Sequence, residues 1–245
     1  MDQTLRPDHG TPRITATLLL TSAAVFTAGV LAQPTALVDL YELDGVAQKY
    51  AVIADHDAAY RWGNLAAGLA AVIALVALWR LRRGAGAGGG LERIALLGLA
   101  AATAGWCAEV VLRMTLVVDR AGDVAVERTP NPSALSDQAL GGTGVFLAVS
   151  LIYGASVVAL ALLWARGRRL GRPSAAILAF SGVASAGLVR SDPIAIVFLP
   201  PFTFWLGLPA VGIALLWGAR RRRTGEGGAG AARHFVRARR SPASR

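Results

Sequence analysis

The sequence predicts an all-α fold: a polytopic integral membrane protein with six transmembrane helices and both termini cytoplasmic. Composition points there first, since 54% of residues are hydrophobic and only 16% charged, the balance of a chain that faces lipid as well as a core. Apolar runs then recur at 14–32, 62–79, 94–118, 145–164, 174–189 and 194–217, mostly near the roughly 20 residues that cross a bilayer as a helix. The connectors, finally, alternate in charge. The N-terminal lead, two Arg-rich connectors and the tail hold 19 Lys and Arg against four acids, whereas the intervening loops hold five against ten. The positive-inside rule assigns the first set to the cytoplasm.

Residues 1–13 carry Pro7, Gly10 and Pro12 and read as a flexible lead. The first span, Ile14 to Ala32, follows Arg13 and ends in Val30-Leu31-Ala32, features shared with a signal peptide. Its apolar run exceeds the h-region of about 7–15 residues, so a retained helix is expected. In the long outer loop from Gln33 to Arg61, Val46, Tyr50 and Ile53 recur at helical spacing. A short amphipathic helix, lying on the membrane or capping the bundle, is predicted there. The second span runs from Trp62 to Trp79; Arg80, Arg82, Arg83 and a GAGAGGG linker follow. That linker lacks the pattern of a phosphate loop.

The third span, Ile94 to Val118, contains Glu109 and Arg113. A charge at a helix centre costs about 2.5–3.5 kcal/mol on insertion scales, so two in one span call for an arrangement that shelters them. Their i, i+4 spacing, with Glu on the N-terminal side, predicts a local ion pair. The outer loop from Asp119 to Gly142 reads as irregular, with Pro130 and Pro132. The fourth span covers Val145 to Trp164. The fifth, Ser174 to Val189, is rich in Ser, Gly and Ala and is predicted inside the bundle, because small residues let helices approach closely. A tight turn at Arg190-Ser191-Asp192-Pro193 leads to the sixth, Ile194 to Trp217, where Pro200, Pro201 and Pro209 predict a bend. Residues 218–245 form an Arg-rich tail expected to be disordered. Trp79, Trp164 and Trp217 each precede Arg, as interfacial aromatics do.

A net charge of +10 would suggest nucleic acid in a soluble protein. Here all but one of the 25 basic residues are Arg, mostly beside the spans, so the expected partners are membrane lipids, including anionic headgroups at the cytoplasmic face, and not nucleic acid. Cys107 is the single cysteine, and His9, His56 and His234 lie outside the spans. No metal site, cofactor or His-based relay is expected, and no enzymatic activity. A polar set remains in the outer half: Arg61 and Asn64, Glu109 and Arg113, Ser150 and Tyr153. If these converge they would line a cavity for a small polar or anionic ligand; if they diverge they are isolated interface residues. The expected role is structural or accessory and non-enzymatic, with a small-solute or lipid transporter as the alternative.

Arg61-Trp62-Gly63-Asn64, the Glu109 to Arg113 element, and LPPFTFWLGLPA around Pro200, Pro201 and Pro209 are together similar to a pattern found in uncharacterised multi-spanning membrane proteins of actinobacteria. The resemblance implies a six-helix architecture in a bacterial plasma membrane and no assigned activity.

Overall fold

A computed structural model describes residues 11–38, 46–83, 89–125, 142–167, 169–187 and 202–220. All regular structure among them is helical: α1 (Thr11–Leu31), α2 (Thr35–Val38), α3 (Val46–Asp55), α4 (Asp57–Arg83), α5 (Gly90–Leu112), α6 (Val118–Ala125), α7 (Gly142–Arg166), α8 (Arg172–Gly187) and α9 (Thr203–Arg220). Five of these helices, α1, α4, α5, α7 and α9, are long and apolar enough to cross a membrane. Within the predicted fifth span the described helix is α8, of 16 residues, and residues 188–201 that follow it lie outside the described residues. The turn at 190–193 and Pro200 and Pro201 lie outside the described residues, as do residues 1–10 of the expected lead and 221–245 of the expected tail, whereas residues 11–13 and 218–220, expected to be flexible or disordered, extend the neighbouring helices.

The long helices form a ring. α1 packs on α4, α4 on α5, α5 on α7, α7 on α8 and α8 on α9, and α9 returns to α1, where Phe26 stacks on Phe204 with centroids 4.6 Å apart. One apolar core fills the ring, from Leu19 and Phe26 through Trp106, Tyr153 and Trp164 to Phe204 and Val211. Small residues set the closest approaches. A Cβ on Gly182 of α8 would come within 3.0 Å of the Gly154 carbonyl and of Val157 on α7, and one on Gly29 of α1 would come within 2.5 Å of Ala66 Cβ on α4. Ser22 Oγ donates to the Ala70 carbonyl at 2.7 Å across the same α1/α4 contact. The opposite faces expose Leu69, Val72 and Val76 on α4, and Phe180 and Val183, each 61% exposed, on α8. An apolar surface of that extent is unfavourable in water and suited to lipid. It also corrects the expected place of the fifth span: α8 is a member of the ring with one face outward, and only its Ser181, Gly182 and Ser185 side is buried.

Two further expectations change. The third span was expected to run unbroken to Val118, but its α-helix ends at Leu112, passes through a π-helical turn at Arg113–Val117 and resumes as α6. The Thr115 hydroxyl donates to the Val111 carbonyl at 2.9 Å, a side-chain bond to i−4 of the kind that bends helices. The irregular outer loop therefore begins as a helix. α6 is amphipathic, with Val118 and Ala121 buried and Asp119, Arg120 and Asp123 exposed. It packs on α3, where Tyr50 and Ile53 are 1% and 0% exposed. The helix expected from Tyr50 and Ile53 thus exists, and its apolar side faces α6, so it caps one end of the ring. A second π turn, Thr203–Gly207, opens α9, with the Leu208 amide donating to the Thr203 carbonyl. Pro209 follows two residues after that turn. A proline ring crowds the carbonyl four residues back, and a widened turn relieves that clash.

Candidate functional site

The polar residues of the outer set fall into separate groupings. At the acid-rich end, α4 carries Arg61 close to α6. Its Nη1 donates to the Met114 carbonyl at 2.6 Å and its Nη2 to Asp119 Oδ1 at 2.7 Å. Met114 belongs to the π turn, so the guanidinium bonds a carbonyl at the place where the regular helical ladder changes register. Arg61 is half-buried, and it ties α4 to the bend between α5 and α6.

One turn further along α4, Asn64 is fully buried. Its Nδ2 donates to the Tyr60 carbonyl at 2.8 Å, while its Oδ1 has no hydrogen-bond partner. Gln33, just past α1, does the same from the other side. Its Nε2 reaches the Ala59 carbonyl at 2.7 Å and the Gly29 carbonyl at 3.2 Å, packs against Gly63 where no side chain intervenes, and leaves Oε1 buried without a partner. Since the amide nitrogens face carbonyls, neither amide gains by flipping. Glu109 sits half-buried on α5, and the side chain of Arg113 lies outside the described residues, so the expected pair between them does too.

Tyr153 belongs to another group, in the interior of α5, α7, α8 and α9. Its ring lies 4.4 Å from that of Trp106, and its hydroxyl hydrogen-bonds the Thr203 side chain. Thr203 Oγ1 and Ser185 Oγ are 3.0 Å apart, and Ser185 Oγ donates to the Ser181 carbonyl at 2.5 Å. The result is a chain of hydroxyls linking α7, α9 and α8. Trp106 Nε1, buried against Tyr153, has no hydrogen-bond partner. Ser150 is buried one turn before Tyr153.

The third grouping, at the Arg-rich end, was not foreseen. Glu92, which the charge count assigns to a cytoplasmic connector, is the third residue of α5 and 4% exposed. Its Oε1 accepts from Trp164 Nε1 at 2.7 Å and from Arg169 Nη1 at 2.5 Å. Trp164 is correspondingly 1% exposed and not an interfacial anchor, whereas Trp217 is 62% exposed. The similar Trp-then-Arg endings at Trp79, Trp164 and Trp217 therefore conceal different environments. A signal for this group does exist in the sequence: Glu92 is the one acid in that connector, among Arg80, Arg82, Arg83 and Arg93. Beside it lies a pocket of about 340 Å³ lined by Gly89, Glu92, Trp164, Gly167 and Arg169 among others.

Among the described residues, no group of three His, Cys, Asp or Glu could hold a metal ion. Arg61 and Tyr153 turn to different partners, so the structure does not join them in one constellation. The hydroxyls of the interior chain serve as links between helices. The fold and these groupings define an all-helical, membrane-embedded protein, five of whose described helices are long and apolar enough to cross a membrane. No protein-family model, no curated protein and no solved structure matches the chain.

Proposed function

We propose that this chain is a six-span protein of a bacterial plasma membrane, with both termini in the cytoplasm and a non-enzymatic, structural or accessory role. The observation that carries the role is how its interior polar groups are used. Arg61 joins α4 to the α5/α6 bend, Tyr153, Thr203 and Ser185 join α7, α9 and α8, and Glu92 joins α5 to the end of α7. Groups committed to holding helices are a poor basis for catalysis, which needs a donor or acceptor available to a substrate. The orientation rests on the 19 basic residues on one set of connectors against five on the other. That distribution also suits anionic headgroups on the cytoplasmic face.

The topology is tested by labelling single cysteines in a Cys107→Ser background. Ala54→Cys should react with an impermeant maleimide on intact cells, and Gly171→Cys only after permeabilisation; the reverse pattern would overturn the orientation. The role is tested by reconstituting the full chain in vesicles and screening ions, amino acids and sugars for flux and for a rise in melting temperature. Neither is expected.

A transporter reading retains one specific support. Gln33 Oε1, Asn64 Oδ1 and Trp106 Nε1 are buried without partners, and a buried polar group left unmade costs about 1–3 kcal/mol, so a polar solute or water would be welcome there. A solute that crosses the vesicle membrane, with flux lost in Asn64→Leu, would decide for this reading.

A further inference from the structure

We propose that the pocket at the Arg-rich end of α5 and α7 binds a phosphate group, with Arg169 as its principal ligand. This goes beyond a general affinity for anionic lipid by assigning a site, and its placement at the inner leaflet rests on the orientation proposed above. Arg169 lines the pocket with its side chain 18% exposed, and Glu92, 5% exposed by side chain and also lining the pocket, holds its Nη1. The same carboxylate oxygen takes the Trp164 indole N–H at 2.7 Å, so the acceptor that orients the guanidinium is itself fixed. A guanidinium carries five N–H donors in a rigid fork, matched to phosphate oxygens. Glu92 takes one of those donors, at Nη1.

The surroundings favour an anion. Glu92 is the one acidic residue among the described residues lining the pocket, whereas Arg93 and Arg166, each next in the chain to a lining residue, are both exposed. The rim is made partly of Gly89, Gly90 and Gly167, and a Cβ on Gly89 or Gly90 would meet nothing within 4 Å, so a ligand can approach the backbone. A volume of about 340 Å³ is at the low end of the roughly 300–1,000 Å³ typical of ligand sites. That is room for a headgroup and not for acyl chains. Leu91, 68% exposed at the same rim, offers apolar surface for the start of a chain outside the pocket. The phosphate can come from an anionic phospholipid or from a soluble phosphate compound.

The test is the melting temperature of the full chain in neutral detergent, titrated separately with phosphatidylglycerol, phosphatidylcholine and inorganic phosphate. Phosphatidylglycerol should raise it for the native protein and for Arg172→Gln. In Glu92→Gln/Arg169→Gln, which removes both charges and leaves no unpaired ion, half-saturation should need about tenfold more lipid, the effect of losing one charge-assisted contact. Arg169→Lys keeps the charge beside Glu92 but not the fork, and should fold normally while binding more weakly. A rise with inorganic phosphate alone, lost in the same variants, supports the site and assigns it to a soluble source. Equal responses in the native and variant proteins, or no response to either phosphate source, would overturn the proposal. Gly171→Cys labelling is read separately, so an external Gly171 combined with variant-sensitive binding would reject the orientation and keep the site.

Discussion

Replacing Glu92 by Ala should be among the most damaging single substitutions in this protein. The carboxylate is 95% hidden by side chain, and its Oε1 is the acceptor for two donors, Arg169 Nη1 and Trp164 Nε1. Without it a guanidinium that is 18% exposed loses its counter-ion, and an indole N–H on a residue that is 1% exposed loses its acceptor. Removing one partner of a buried pair costs about 3–5 kcal/mol. The orphaned indole falls within that range and is not added to it, because both bonds share one oxygen. At about 2–4 °C per kcal/mol for a chain of this size, the melting temperature in detergent should fall by roughly 6–20 °C. Glu92→Gln keeps a neutral acceptor and should lose less than half as much. If Glu92→Ala remains monodisperse and melts within about 2 °C of the native protein, a loss under about 1 kcal/mol, the carboxylate is not the fastening described here.

Further outcomes follow from the other groupings. Arg61→Gln should cost about 1 kcal/mol more than Asp119→Asn, because the half-buried guanidinium also bonds the Met114 carbonyl while Asp119 is 60% exposed by side chain; hydrogen exchange over 113–125 should rise only in the first. Gly182→Leu should lower stability by about 1–3 kcal/mol in thermal melts, since its Cβ already comes within 3.0 Å of the Gly154 carbonyl. Gly122→Ala, with nothing within 4 Å, should change little. Thr203→Val leaves the Tyr153 hydroxyl without its side-chain partner, and a loss of about 1 kcal/mol is expected by denaturant titration, in keeping with interhelical bonds in membranes. For Glu109 and Arg113, a double-mutant cycle with Gln at each position should show both single variants destabilised by ~3–5 kcal/mol and the double variant near the native value if they form a buried pair. Three stable, abundant variants would instead direct ligand assays to those charges.

The long helices were legible because a bilayer imposes a simple requirement, an apolar run of sufficient length, that can be read without knowing what each helix touches. α4 nevertheless begins at Asp57 and ends at Arg83, beyond the predicted 62–79, because charged residues that end an apolar run do not end a helix. The same limit hid Glu92. Hydropathy sees a charge next to a linker, while its actual depth depends on Trp164 and Arg169, more than 70 residues away in the chain. Tyr50 and Ile53 were readable as one face of a helix, but the packing of that helix on α6 was not, because Val118 and Ala121, the buried residues of α6, fall where a span ends and an irregular loop is expected to begin. Arg61 and Asn64 were singled out as polar residues opening a span, and both are structurally distinctive. Their partners are backbone carbonyls at Met114 and Tyr60, and a carbonyl leaves no mark in a sequence.

The two π turns make the ends of the ring unlike. At the Arg-rich end the fastening is a charged side-chain contact between α5 and the residues following α7. Toward the other end, α5 passes through a π turn into α6, and α9 opens with one. A π turn shifts the hydrogen-bond register, which turns the backbone toward side-chain partners from other helices. Arg61 reaches the Met114 carbonyl at one turn, and Tyr153 and Ser185 reach the Thr203 hydroxyl at the other. The partnerless Asn64 Oδ1 and Gln33 Oε1 lie near that same acid-rich end. Rigid closure and irregular backbone thus sit at opposite ends, and the physical consequence is directional. Opening the Arg-rich end requires breaking a buried ion pair, whereas the acid-rich end can shift by exchanging hydrogen bonds to carbonyls and hydroxyls, each worth about 1 kcal/mol. An accessory protein needs no such exchange, and a transporter would need both. A large cost of separating Glu92 from Arg169 therefore weighs against opening at that end, and flux in vesicles decides between the two readings.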